Sequence, residues 1–136
     1  MASRDARRTV ESLLRLCTLL AVATAAGCPE PEPATYSLVQ ERVFTPRCSS
    51  NSCHGGVDPE AGMDLSIDPY DVIVDVPSDA DPGVLRVDRF HPDTSLLYQL
   101  LLNAVGDVER MPVDATLPAD EVDLVRRWIE SGTPKI

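Results

Sequence analysis

Aromatic side chains are scarce in this chain: one tryptophan, three tyrosines and two phenylalanines among 136 residues. A domain of about 100 residues buries modest surface and is marginal by itself, and few rings are available here to enlarge its core. Basic residues are scarce too, with 12 Lys and Arg against 22 Asp and Glu, a net charge of −10. A surface this acidic is repelled by phosphate backbones, which argues against nucleic acid as a partner. It is steered instead toward a basic protein surface, although the same charge also suits plain solubility. There is no apolar run of the length of about 20 residues that a bilayer requires. Nucleophile elbow, phosphate loop, paired catalytic carboxylates and internal repeats are all missing, so the chain does not read as an enzyme.

Cysteine is the next shortage, with four in the chain. The first, Cys17, lies in "LCTLLAVATAA", Leu16 to Ala26, an apolar run that follows Arg4, Arg7, Arg8 and Arg15. Charged start, short apolar stretch and small residues are the parts of a secretory signal. The run ends in "AAGCPE", which resembles a lipobox, with Ala25 in place of the commoner Leu. Residues 1–27 are therefore expected to be a lipoprotein signal peptide and Cys28 to be acylated. An ordinary signal peptide that leaves Cys28 free is the alternative. Processing removes four arginines and two acids, leaving eight bases, twenty acids and a net charge of −12. Of the cysteines, Cys48 and Cys53 then remain as a pair in an oxidising compartment.

Residues 28–35, with "PEPEPAT" after the cysteine, read as a stiff, extended spacer. Residues 36–136 read as one mainly α domain with long loops and short extended segments. Tyr36, Val39, Gln40, Val43 and Phe44 share a helical face that should stop before Pro46. "GMDLSI" alternates as a short extended segment does. Asp68 as cap and Pro69 as first helical residue predict a short helix to about Val74, and "VLRV", Val84 to Val87, reads as a short strand or extended segment. "HPDTSLLYQLLLNA" predicts a helix capped by Asp93 or Thr94, with Leu96, Leu97, Leu100 and Leu101 inward. The last helix starts at Pro118, carries Asp120 and Glu121 in its first turn and Arg126 and Arg127 near its end, and stops at Gly132.

The chemistry concentrates in "RCSSNSCHGG", Arg47 to Gly56. A cysteine pair ending in Cys-His resembles c-type haem attachment. Two thiols add across the haem vinyl groups, and the adjoining His54 supplies an axial nitrogen. The usual gap is two residues; here it is four small or polar ones, Ser49, Ser50, Asn51 and Ser52, which suit a solvent-facing bulge. The same gap suits a Cys48–Cys53 disulfide, which would make the domain a haem-free binding or assembly module. A zinc site with His91 is a further possibility, weakened because adjacent residues converge poorly on one small ion. For the second axial position Met111 is preferred to Met63: it is distant in sequence and Pro112 holds it out of helical geometry. His91 at a helix entrance would give a bis-histidine iron in its place.

The order of "VFTPRC", "CHGG", "GMDLS", "SLLYQLL", "RMP" and "LPADEVDLVRRWIESGTP" resembles class I cytochromes c, and more closely the small planctomycete-type cytochrome c domains. The likeness spans nearly all of Tyr36 to Pro134. It implies covalent haem c on Cys48 and Cys53, iron ligated by His54 and Met111, and electron transfer to redox protein partners. A haem would also supply apolar bulk that the few aromatic residues do not. With the signal, it implies an envelope location, anchored to a membrane through Cys28.

Overall fold

Thr35 starts the first helix. Its Oγ1 accepts a hydrogen bond from the Leu38 N–H at 3.3 Å, satisfying one of the donors that every helix start leaves unpaired. The computed structural model describes residues 30–136, within which Pro33–Ile136 forms one compact unit. The signal-like segment, Cys28 and Pro29 lie outside the described residues.

Helix α1 is α-helical over Tyr36–Val39 and continues as π-helix over Gln40–Cys48. This corrects the expected stop before Pro46. In an α-helix a proline ring collides with the carbonyl four residues back. The wider π turn pairs residues five apart instead, as in the 3.0 Å bond from the Ser49 N–H to the Phe44 carbonyl. Pro46 is accommodated inside it. Cys48 therefore ends a helix instead of opening a loop, and Ser49 Oγ closes that end by donating to the Thr45 carbonyl at 2.7 Å.

Three more helices follow: α2 (Tyr70–Ile73), α3 (Leu96–Leu102) and α4 (Ala119–Glu130), with single 3-10 turns at Glu60–Gly62 and Pro92–Thr94. The domain is mainly α, and the described residues hold no sheet. Of the two forms expected for "VLRV", the extended segment is found: it makes isolated bridges, Val87 to Val74 and Leu85 to Pro77, and no strand. Two expected caps are also corrected. Asp68 has φ +37°, and Pro69 takes the cap position of α2 with no side-chain bond. Burial, and then the nearby Asp68 carboxylate, push the Tyr36 hydroxyl pKa up. Before α3, Asp93 and Thr94 belong to the 3-10 turn, and Ser95 holds the cap position. The buried Ser95 hydroxyl serves the preceding loop, accepting from the Asp88 N–H at 2.8 Å and donating to the His91 carbonyl at 2.9 Å.

Helix α4 forms where its sequence places it, with Pro118 at the cap position. Gly132 at φ +85° ends it, and the Thr133 and Gly132 N–H groups bond back to the Trp128 and Ile129 carbonyls at 2.9 and 3.0 Å. Its buried face meets α1. The rings of Tyr36 and Tyr70 lie 5.2 Å apart edge-on, and Phe44 and Trp128 lie 6.4 Å apart edge-on. Four of the six aromatics, Tyr36, Phe44, Tyr70 and Trp128, are thus pooled in one cluster, where each such side chain buries about 150–250 Å², whereas Phe90 is exposed. The tail after α4 locks the start of α1: the Pro134 carbonyl accepts from the Tyr36 N–H at 2.7 Å and from Trp128 Nε1 at 3.2 Å.

Candidate functional site

The far part of α1 borders a strongly apolar cleft with a cavity volume of about 180 Å³. Val43, Phe44 and Cys48 supply one wall. The five-residue π repeat puts Val43 and Cys48 on the same side, with Cys48 Sγ 3.7 Å from the Val43 carbonyl. Helix α3 contributes Leu96, Leu97, Leu100 and Leu101, the face expected from its periodicity. Met63 and Leu65 come from the segment after the first 3-10 turn, and Val108 and Met111 from the loop after α3.

The cysteine–histidine stretch is tightly knit by its own backbone. The Cys53 N–H donates to the Ser50 carbonyl at 3.0 Å, His54 to Cys48 at 3.1 Å, and Leu65 to His54 at 2.7 Å. Ser50, Asn51 and Ser52 are exposed, as a bulge would be. Gly55 is buried where the chain folds back on α1. A Cβ there would lie 2.3 Å from the Ser49 carbonyl oxygen, so no other residue fits without backbone movement.

His54 lines the cleft, and its Nδ1 lies 3.1 Å from the Glu60 carbonyl oxygen. A carbonyl only accepts, so Nδ1 is the donor in this contact, and in the neutral ring the lone pair is then on Nε2. That tautomer, with its ring held by a backbone acceptor, is the one that ligates metal. Cys48 is half-buried and Cys53 exposed, both as free thiols. Burial, and after it the neighbouring Cys53 and Glu121, push the Cys48 thiol up to about 12, against the pull of Arg47.

Met111 is outside any helix, and its N–H donates to the Leu100 carbonyl at 2.8 Å, which pins it against α3. The structure thus brings Cys48, His54 and Met111 to one cleft. Met63, the less favoured thioether, stands on the same lining. Cys53 and His91 are not part of it. His91 is 67% exposed and lies 3.4 Å from Asp88. Among the described residues, no three His, Cys, Asp or Glu side chains are grouped to hold a bare metal ion, so the zinc set is not assembled.

Three contributors were not read from the sequence: the Glu60 carbonyl behind His54, the close approach at Gly55, and Arg86, the one basic residue on the lining. The paired glycines after Cys53-His54 were a visible sign of the second. Compared with known proteins, the chain matches no family model, no curated protein and no solved structure. Among the described residues no helix is long and apolar enough to cross a membrane.

Proposed function

We propose that this protein is a c-type cytochrome that carries electrons while anchored to a bacterial envelope membrane through Cys28. The observation that supports this most is the convergence of Cys48, His54 and Met111 on one apolar cleft. The donor set fits a haem: two thiols for attachment, an imidazole with Nε2 left free by the Nδ1–Glu60 contact, and a thioether from a distant loop.

When bound, haem supplies the chemistry, a reversible one-electron change at iron. The chain's own residues do the rest. Cys48 and Cys53 tether, and the Glu60 carbonyl orients His54. Met111 offers a soft sulfur that favours the reduced iron and raises the potential. The leucines of α3 keep water out and lower the local dielectric. With His54 and Met111 both assigned to the iron, no position is left for a substrate, so the reading is a carrier and not an enzyme. The acidic surface suits a redox partner with a basic docking face, and nucleic acid is not a partner.

The test is expression with cytochrome c maturation machinery, followed by a pyridine haemochrome spectrum and intact mass. The expected result is one covalent haem bonded through both Cys48 and Cys53. A matured protein with no haem mass and a Cys48–Cys53 disulfide would overturn the reading.

A further inference from the structure

The chain enters the domain at one end of α1, and the cleft lies at the other. Ala34 is buried and the Tyr36 N–H is bonded to the Pro134 carbonyl, so the domain takes hold of the chain beside its own C-terminal tail. Val43, Phe44 and Cys48, which line the cleft, belong to the far part of the helix. Seven large apolar side chains are exposed among the described residues, and four of them, Ile67, Val72, Phe90 and Ile136, are tied to the tail side. The Phe90 ring lies against Gly132 and leaves no room for a Cβ there. Lys135, next to Ile136, stands 4.4 Å over the Tyr70 ring and 3.8 Å from Asp71, the two residues before Val72. Asp68, next to Ile67, lies near the Tyr36 hydroxyl.

Charge divides the domain the same way. On the tail side Lys135 and Arg89 each neutralise an acid, Asp71 at 3.8 Å and Asp75 at 2.7 Å. At the cleft, Glu60 adjoins Ala61 of the lining, and Asp107 and Glu109 flank Val108. All three of these acids are exposed, and none has an ion-pair partner among the described residues. Apolar side chains settle into the boundary of headgroups and acyl chains, whereas unpaired carboxylates are repelled by anionic lipid. Phe90 adds a sign of its own. Its φ of +68° is a region that a bulky residue rarely adopts, yet the ring is left exposed.

We propose that the tail side, through Ile67, Val72, Phe90 and Ile136, is the surface that the domain lays on the lipid bilayer, with the cleft turned toward the aqueous side. The proposal rests on the anchoring of Cys28 and not on the haem. The reach of the tether supports it. From Cys28 to Ala34 the chain advances six residues, at most about 20 Å when fully extended. A small domain is roughly 30 Å across, so the side that meets the lipid is the side where the chain enters. The acidic mouth of the cleft is thereby left open to a partner that arrives from solution.

The test is hydroxyl-radical footprinting of side chains, read by mass spectrometry. The acylated full-length product is bound to vesicles of phosphatidylethanolamine and phosphatidylglycerol and compared with the Cys28→Ser form in buffer. Oxidation of Phe90, Ile67 and Val72 is expected to fall severalfold on the vesicles, while that of Val57 and Val113, exposed elsewhere on the domain, should not change. An Ile67→Asp, Val72→Asp double variant alters two exposed positions. It should still float with the vesicles through its lipid, with Phe90 oxidised as freely as in buffer. Equal oxidation of Phe90, Ile67 and Val72 in the wild type with and without vesicles overturns the proposal and leaves the anchor standing. Protection of Val57 and Val113 in their place overturns it as well. A wild type that carries no lipid and does not float with the vesicles overturns both the proposal and the anchor.

Discussion

Arg47 and Glu121 grip each other across the domain through two hydrogen bonds, Nε to Oε2 at 3.1 Å and Nη2 to Oε1 at 2.8 Å. Arg47 immediately precedes Cys48 at the end of α1, and Glu121 lies in the first turn of α4. The pair therefore ties the helix that presents the first cysteine to the most regular element of the fold. Glu121 is the more deeply placed partner, with its side chain 11% exposed against 45% for Arg47.

That asymmetry predicts an asymmetric mutational response. Arg47→Ala leaves a buried carboxylate without its counter-charge, whereas Glu121→Gln keeps the shape and removes the charge. Arg47→Ala should lower Tm by several degrees and Glu121→Gln by less, with the double variant no worse than Arg47→Ala. Thermal unfolding followed by circular dichroism measures this. Equal and additive losses would show that the two residues act independently.

Gly55→Ala should be severe for so small a change. The new methyl meets the Ser49 backbone, which cannot swing aside as a side chain can. A cost of about 1–3 kcal/mol is expected for such overpacking, or about 4–8 °C in Tm for each kcal/mol in a domain of this size. Haem incorporation should fall with it. By contrast Gly62→Ala has open space, and its φ of +60° is the one source of strain.

The two thiols should differ sharply before haem is attached. In haem-free protein at neutral pH, a small alkylating reagent should modify exposed Cys53 first and Cys48 more slowly by about tenfold or more. Because folding raises the Cys48 pKa from 9.0 to about 12, its contribution to stability is whole below pH 9 and is lost as pH rises toward 12. Cys48→Ala should therefore flatten the alkaline fall in denaturation midpoint. Equal labelling rates, or an unchanged alkaline slope, would contradict the buried setting of Cys48.

Both methionines on the cleft are candidates by position, but only Met111 has its backbone pinned to α3. In matured protein, Met111→Ala should abolish the iron–sulfur charge-transfer band of the oxidised form and lower the midpoint potential. Met63→Ala and His91→Ala should retain the band. Loss of the band in Met63→Ala alone would reassign the ligand to Met63.

Cys28→Ser should release the protein from the membrane fraction, since the apolar run before it is too short to hold it as a span. Fractionation of cells expressing each form, with globomycin-sensitive processing as a control, measures this. Persistence of Cys28→Ser in the membrane would sink the anchor.

What the sequence determined by itself is mostly local. Helix α4 was legible from Pro118 to Gly132 because its acidic first turn, apolar stripe and glycine stop each act within a few residues. The leucine face of α3 was legible for the same reason, and so was Met111 outside a helix, since the Pro112 ring restricts the residue before it. The Cys-Ser-Ser-Asn-Ser-Cys-His stretch pointed to haem through residue type and order alone. Tertiary structure decided the rest. Pro46 argued for a helix end, but packing of Val43 and Phe44 into the core carries α1 onward as a π-helix to Cys48. The serine hydroxyl before α3 serves the Asp88–His91 loop because that loop folds beneath it. The meeting of His54 with the Glu60 carbonyl, of Met63 and Met111 on one cleft, and of Arg47 with Glu121 depends on which surfaces are pressed together. Propensity and periodicity describe a residue's near neighbours in the chain; a cleft is made by residues far apart in it, and only the packed fold selects them.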